Sequence, residues 1–247
     1  MANDKVVVFD IYKTLIELQT DENELKSYEF LSTWLSYKGL KVTPIELLNL
    51  YQKITERKVI ANPEPYPDIE IGDVFVEIIE IISTVAKGGK QKVTSADIAL
   101  LFRILTTKSV KIYPETVPML EALHNKVRLA IVSNTQRLFT IPELKKFALE
   151  KYFDYILFSS DVKAAKPNSK IFRRLLYDMQ IQPESAIFVG DNLFDDIWGA
   201  QRIGMKTIWI DRDHAPPFPS NLKRPIPTKR VDKNNRHNLP DIILAML

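Results

Sequence analysis

The residues of this chain predict an α/β fold: a doubly wound parallel sheet of Rossmann-like type carrying an inserted helical domain. Three observations lead there. Short apolar runs, typical of strands buried on both faces, recur at 6–10, 128–132, 155–158, 186–189 and 207–210. From Tyr113 onward these runs alternate with helical segments, as crossovers between parallel strands require. Between about 20 and 110 the periodicity is helical throughout, which reads as one block inserted after the first strand.

The elements follow in order. Val6-Val7-Val8-Phe9-Asp10 is continuous and β-branched, and a helix over about 22–38 comes next. A second helix opens at Thr43-Pro44-Ile45-Glu46, a capping-box pattern with Pro in the first turn. A third covers about 68–86. In it Glu70, Asp73, Glu77 and Glu80 form a narrow polar stripe, while Ile71, Val74, Phe75, Ile78, Ile79 and Ile82 fill the rest. So wide an apolar surface belongs to a core or to a subunit contact, so the chain is expected as a monomer or a homodimer. A fourth helix covers about 95–107. Helices are then expected at 113–124, around 142–149, at 168–179 and at 193–203, each beside one of the later strands. The stretch 214–237, rich in Pro, Asn and basic residues, reads as a long surface loop, and 239–247 as a closing helix. The expected organisation is a core of 1–16 and 112–247 with a helical domain of 17–111.

Composition narrows the function classes. The chain has 247 residues, enough to bury a full core, and a formal charge of +3 that is too small to imply nucleic acid or an anionic membrane as partner. That excess is local: six Lys/Arg and one Asp between Ser220 and His237 give +5, so the remainder is slightly acidic. The basic loop at 223–236 reads as a solvated segment, with phosphate or RNA backbone contact as the sharper alternative. The absence of cysteine rules out disulfides, thiolate metal sites and a thiol nucleophile, and suits a cytoplasmic location. The opening residues show no basic region followed by an apolar one, so no secretory leader is expected. No apolar run approaches the roughly 20 residues that span a bilayer.

Four polar segments stand directly after apolar strands, and ligands bind at that carboxyl edge in open α/β sheets. Asp10 either caps a turn or serves as a nucleophile, since carboxylates attack phosphoryl groups and also displace halide from carbon. Thr14 either orients Asp10 or caps the following segment. Ser133-Asn134-Thr135 offers a hydroxyl and backbone N–H groups that can hold phosphate oxygens, or forms a simple turn. Lys166, before Pro167, can balance the charge of Asp10 and of a transferring phosphoryl group. Gly190-Asp191-Asn192-Leu193-Phe194-Asp195-Asp196 puts three acids within six residues, which repel one another unless a cation or solvation compensates; oxygen-only ligands suit Mg²⁺, while Asp195 also reads as a helix-start residue favoured by the dipole. His124, His214 and His237 fall outside these segments.

Taken together, these segments resemble the haloacid dehalogenase superfamily over 1–16 and about 112–247. The resemblance implies Asp10 as nucleophile, Thr14, Ser133, Asn134 and Lys166 around a phosphoryl group, and Mg²⁺ held by Asp10, Asp191, Asp196 and the Tyr12 backbone carbonyl. It likewise implies that the helical block is a cap, and that the substrate is a small phosphorylated molecule. One departure matters. Phosphatases of the family carry an acid/base Asp where this chain has Tyr12, and a positioned acid or base contributes about 10²–10⁴ in rate. Tyr12 therefore takes the catalytic acid/base position only with a phenol, a poor base near neutrality. Asp-x-Tyr resembles instead the metal-independent 2-haloacid dehalogenase branch, but that branch has Gly where Lys13 stands and an early cap arginine. Here Arg57 is the first arginine after Asp10. A catalytically impaired binding protein is the third reading.

Overall fold

The computed structural model describes residues 5–85, 93–212 and 216–247. The opening residues 1–4, position 86 of the expected third helix, and His214 lie outside them. Strand β1 (Val6–Phe9) is followed by β2 (Ile16–Thr20) and then by four helices, α1 (Leu25–Tyr37), α2 (Pro44–Ile60), α3 (Ile71–Val85) and α4 (Ser95–Thr106). The chain returns through β3 (Thr107–Ile112), α5 (Thr116–His124), β4 (Arg128–Ser133), α6 (Arg137–Lys146), β5 (Tyr155–Phe158), the short α7 (Ser159–Val162) and α8 (Ser169–Met179). It finishes with β6 (Ala186–Gly190), a π-helical turn Leu193–Trp198 running into α9 (Gly199–Gln201), β7 (Lys206–Ile210), β8 (Lys229–Val231) and α10 (Leu239–Met246).

Six strands form one sheet in the order β5-β4-β1-β6-β7-β8, all neighbours parallel. The chain winds outward from β1 through β4 to β5, then crosses back to β6 on the other side. The order therefore reverses at β1, the position where an open α/β sheet leaves a crevice beyond its carboxyl ends. Alternate residues of the central strands feed two cores. Val7, Phe9, Leu129, Ile131, Ile187 and Val189 pack against α5 and α10, while Val6, Val8, Ala130, Val132, Ala186 and Phe188 pack against α8. The helical block has its own core around Tyr28, Tyr51, Phe75 and Phe102, which also takes in Phe139 of α6. In α3 the broad apolar surface is mostly buried, with Val74, Phe75 and Ile78 at 1% exposure or less, although Val76 and Ile81 remain exposed. Thr43 and Glu46 form the expected capping box at α2, each side chain bonding the other's backbone N–H.

Four expectations need correction. The stretch from 20 to 110 is not helical throughout, because β2 and β3 pair as an antiparallel ribbon between the sheet and the helical block. Thr107-Lys-Ser-Val-Lys-Ile carries the period-two alternation of a half-exposed strand. The segment 214–237 is not all loop, since β8 adds a sixth strand to the sheet edge. Only Val231 of β8 is buried, which left little signal. Helix α6 starts at Arg137, well before Pro142, which sits inside it. Its N-cap residue Gln136 supplies no capping bond; instead Ser160 Oγ accepts from the Arg137 N–H at 3.2 Å and the Arg137 side chain pairs with Asp161, both contacts from another part of the chain. The helix expected over 193–203 opens as a wider π-turn, a form concentrated at functional sites.

Candidate active site

The register of the central strands puts their ends level: Phe9 pairs with Ile131 on one side and with Val189 on the other. Asp10, Ser133 and Gly190 therefore meet at one edge. The Asp10 N–H continues the ladder by donating to the Val189 carbonyl at 3.0 Å. Beyond Asp10 the chain turns sharply, with Lys13 at φ 63°, a left-handed conformation that glycine adopts without strain. Lys13 is exposed. The turn is secured from behind by Arg212, whose Nε and Nη2 donate to the Lys13 and Thr14 carbonyls at 2.8 and 3.0 Å.

Lys166 sits at the centre of the polar cluster. Its Nζ, 3% exposed as a residue, donates to Asp10 Oδ1 at 2.7 Å, Asp196 Oδ1 at 2.6 Å and the Val132 carbonyl at 3.0 Å. All three protons are thus used. Burial works against its charge, but Asp10 and Asp196 outweigh that and hold the ammonium above its ordinary pKa. Ser133 Oγ donates to the same Asp10 Oδ1 at 2.8 Å. Asn134 fixes the lysine's backbone: its Oδ1 accepts from Lys166 N–H and its Nδ2 donates to the Lys166 carbonyl, at 2.6 and 3.0 Å. The Asn134 carboxamide is therefore taken up in positioning, leaving its main chain to face a ligand.

The acids come from the turn after β6. Asn192 caps it, accepting from Phe194 and Asp195 N–H, and the π-turn then brings Asp196 back beneath the strand end. A Cβ on Gly190 would lie 2.3 Å from Asp196 Oδ2, so this close return requires glycine. Asp196 Oδ2 accepts from Asn192 N–H at 3.0 Å. Thr14, expected at the phosphoryl group, is 1% exposed and donates to Asp191 Oδ1 at 3.3 Å instead. It orients the acid cluster rather than facing the cavity. One carboxylate oxygen from each of Asp10, Asp191 and Asp196 lies within 4.8 Å of the others. Burial foremost, then Asp10, pushes Asp191 up to about 7; burial likewise pushes Asp195 up to about 6 and holds Asp196 well above the usual carboxylate range. Several carboxylates against one buried ammonium leave excess negative charge. An oxygen-only donor set of this kind fits a hard divalent cation. The cavity they line, with Tyr12, Lys13, Ser133 and Asn134, is about 180 Å³.

Tyr12 lines this cavity, but its hydroxyl turns away from chemistry. It donates to Glu143 Oε2 at 2.6 Å, lies 3.0 Å from Thr140 Oγ1, and accepts from Arg103 Nη2 at 3.0 Å. Arg103 Nε completes the network on Glu143 Oε1 at 2.7 Å. Burial first, and then Glu143, drive the phenol's pKa further up, against the opposing pull of Arg103. At the position where an acid/base group was sought, the Tyr12 proton is held by a carboxylate and its oxygen by a guanidinium. Arg103 and Glu143 were not anticipated. Arg103 lies on the buried stripe of α4 with Ala99, Phe102 and Thr106, and a charge on an apolar stripe was a readable signal. Glu143 and Arg212 carried none.

Over residues 7–210 the chain matches the family described as haloacid dehalogenase-like hydrolase. The chain belongs to that family. The glyceraldehyde 3-phosphate phosphatase of Pyrococcus furiosus is 39% identical over 68 residues, 28% of each chain. The phosphoserine phosphatase of Thermus thermophilus is 33% identical over 114 residues, 44% of each. The matched stretches thus span less than half of these relatives' lengths. A crystal structure of 2-haloacid dehalogenase from Pseudomonas syringae pv. tomato aligns with a TM-score of 0.65 at 22% identity, covering 98% of this chain and 99% of that one. At that identity the likeness establishes the fold. The matched residues include Asp10, Ser133, Lys166 and Asp191.

Proposed function

We propose that the chain is a magnesium-dependent phosphatase that uses Asp10 as nucleophile on a small phosphorylated metabolite or an activated phosphate. The observation carrying this reading is the gathering of three buried carboxylates within 4.8 Å beside a single ammonium. An anionic haloacid would meet those carboxylates unscreened, whereas a phosphate accompanied by a divalent cation would not. Arg57, the first arginine after Asp10, pairs instead with Glu77 on the surface of the helical block. The names of the phosphatase relatives point the same way.

Asp10, Asp191 and Asp196 would hold Mg²⁺, joined by the Tyr12 carbonyl on the family pattern; the ion would neutralise the carboxylates and draw charge from the phosphoryl oxygens. Ser133 and Lys166 both occupy Asp10 Oδ1, which leaves Oδ2 to attack phosphorus. The new bond is Oδ2–P, and the ester P–O bond breaks with its electron pair on the leaving oxygen. Water then attacks phosphorus and the Oδ2–P bond breaks with its electron pair on Oδ2, restoring the Asp10 carboxylate while the water's protons leave with phosphate. The backbone N–H groups after Ser133 would steady the phosphoryl oxygens. Because the Tyr12 proton is committed to Glu143, substrates whose leaving groups depart without side-chain protonation are favoured. A cavity of 180 Å³ is smaller than the ~300 Å³ at which ordinary ligand pockets begin, so it suits the phosphoryl end of a small substrate beneath the helical cap.

The test is hydrolysis of an aryl phosphate. Release of the phenol is expected to require Mg²⁺ and to vanish in Asp10→Asn. Equal turnover in excess chelator would overturn the proposal.

A further inference from the structure

A second cavity, of about 510 Å³, opens behind the nucleophile turn, between the start of α5 and the segment leading into α10. Tyr113, Glu115, Arg212, Lys233, Arg236 and His237 are among the residues that line it. Two guanidinium groups, an ammonium and an imidazole thus face one carboxylate. Arg212 is 8% exposed, lies 3.6 Å from the centre of the Tyr113 ring, and has its Nη2 3.0 Å from Glu115 Oε1. Its Nη1 is buried without a hydrogen-bond acceptor, and so is Nε of Arg236, whose Nη2 donates to the Asp211 carbonyl at 2.8 Å. Buried guanidinium N–H groups are normally satisfied. Here two cationic side chains converge with donors to spare, and burial together with the nearby Arg236 disfavours the charge on Arg212. A wall of this composition suits an anion. It also gives a purpose to part of the basic segment at 223–236 that the catalytic reading leaves unused. The concave shape and the depth of Arg212 suit a small anion and not a polyanion backbone.

We propose that this cavity binds a phosphate dianion, free or carried on a small metabolite, between Arg212, Arg236 and Lys233. The site is separate from the acid cluster but joined to it through Arg212, which holds the Lys13 and Thr14 carbonyls of the nucleophile turn. Occupancy would therefore bear on the loop that carries Asp10.

Calorimetric titration of the full chain with inorganic phosphate, in chelator at constant ionic strength, tests this. Without a divalent cation the acid cluster repels phosphate, so saturable binding is expected at the second cavity alone. Arg236→Ala and Lys233→Ala should each weaken it about tenfold, the loss expected for one charged hydrogen bond, while Ser133→Ala should leave it intact. Lys233 is exposed, so its variant tests the site even where Arg236→Ala fails to fold. Repeating the titration with glycerol 3-phosphate separates the two sources: tighter binding than inorganic phosphate identifies a metabolite site, and equal binding a site for the free ion. No saturable binding, or loss in Ser133→Ala with retention in both basic variants, would overturn the proposal.

Discussion

Tyr12 illustrates how a side chain can line the candidate site and be occupied elsewhere. Its hydroxyl has a carboxylate acceptor, a guanidinium donor and a threonine within 3.0 Å. Removing that hydroxyl should therefore affect stability more than rate. Tyr12→Phe is expected to keep aryl-phosphate turnover close to wild type while lowering unfolding free energy by about 1–3 kcal/mol, since Glu143 and Arg103 each lose a buried partner. Parallel urea melts and steady-state kinetics check both halves. A rate loss on the ~10²-fold scale of a missing acid/base group, with stability unchanged, would return the phenol to the chemistry.

Helices α4 and α6 meet through the pair Arg103–Glu143, 6% and 8% exposed respectively. One comes from the helical block and the other from beside the sheet, so the pair fastens the block directly over the Asp10 edge. Breaking a buried ion pair from one side leaves the other charge stranded. Arg103→Met is thus expected to destabilise the chain by about 3–5 kcal/mol, and the double variant Arg103→Met/Glu143→Leu by clearly less. Denaturant unfolding of the two single variants and the double closes the cycle. Strict additivity would mean that the pair does not couple α4 to α6. The sequence showed α4 as a helix but left α6 misplaced, because Pro142 sits inside a helix whose start depends on Arg137 reaching Asp161. Tertiary contact overrode the local signal there. The same holds for β8, where a single buried valine is enough once β7 supplies an edge to pair with.

At the scale of the whole molecule, folding concentrates acids in a poorly solvated crevice, and stability should therefore depend on pH and metal together. Asp191, pushed up to about 7 by burial and by Asp10, lies above its unfolded value. A carboxyl shifted that way favours the fold most below its unfolded pKa, and the advantage is lost as pH rises through the folded value. Metal-free protein should lose thermal stability from about pH 4 to about pH 7, through the ionisation of Asp191. On the proposed reading magnesium would bind the ionised form, so the rise in Tm that it produces should be small near about pH 5.5 and large near about pH 8.5. Scanning calorimetry with chelator or with Mg²⁺ at those two values measures the difference; a shift in Tm that does not change with pH would be inconsistent with a site built on these carboxylates. Among the described residues, no helix is long and apolar enough to cross a membrane.

What could be read before folding was whatever depends on near neighbours along the chain. Apolar runs ending in Asp10, Ser133 and Gly190 announced buried parallel strands, and the polar residues after them announced one shared edge. The Thr43–Glu46 cap and the broad apolar surface of α3 were equally local. What required the folded chain was every partnership across distance: Tyr12 with Glu143, Thr14 with Asp191, Asn134 with the Lys166 backbone, Arg212 with the Lys13 and Thr14 carbonyls. Periodicity reports which face of an element is buried, but a hydrogen bond between residues more than a hundred positions apart exists only once the sheet has brought them together.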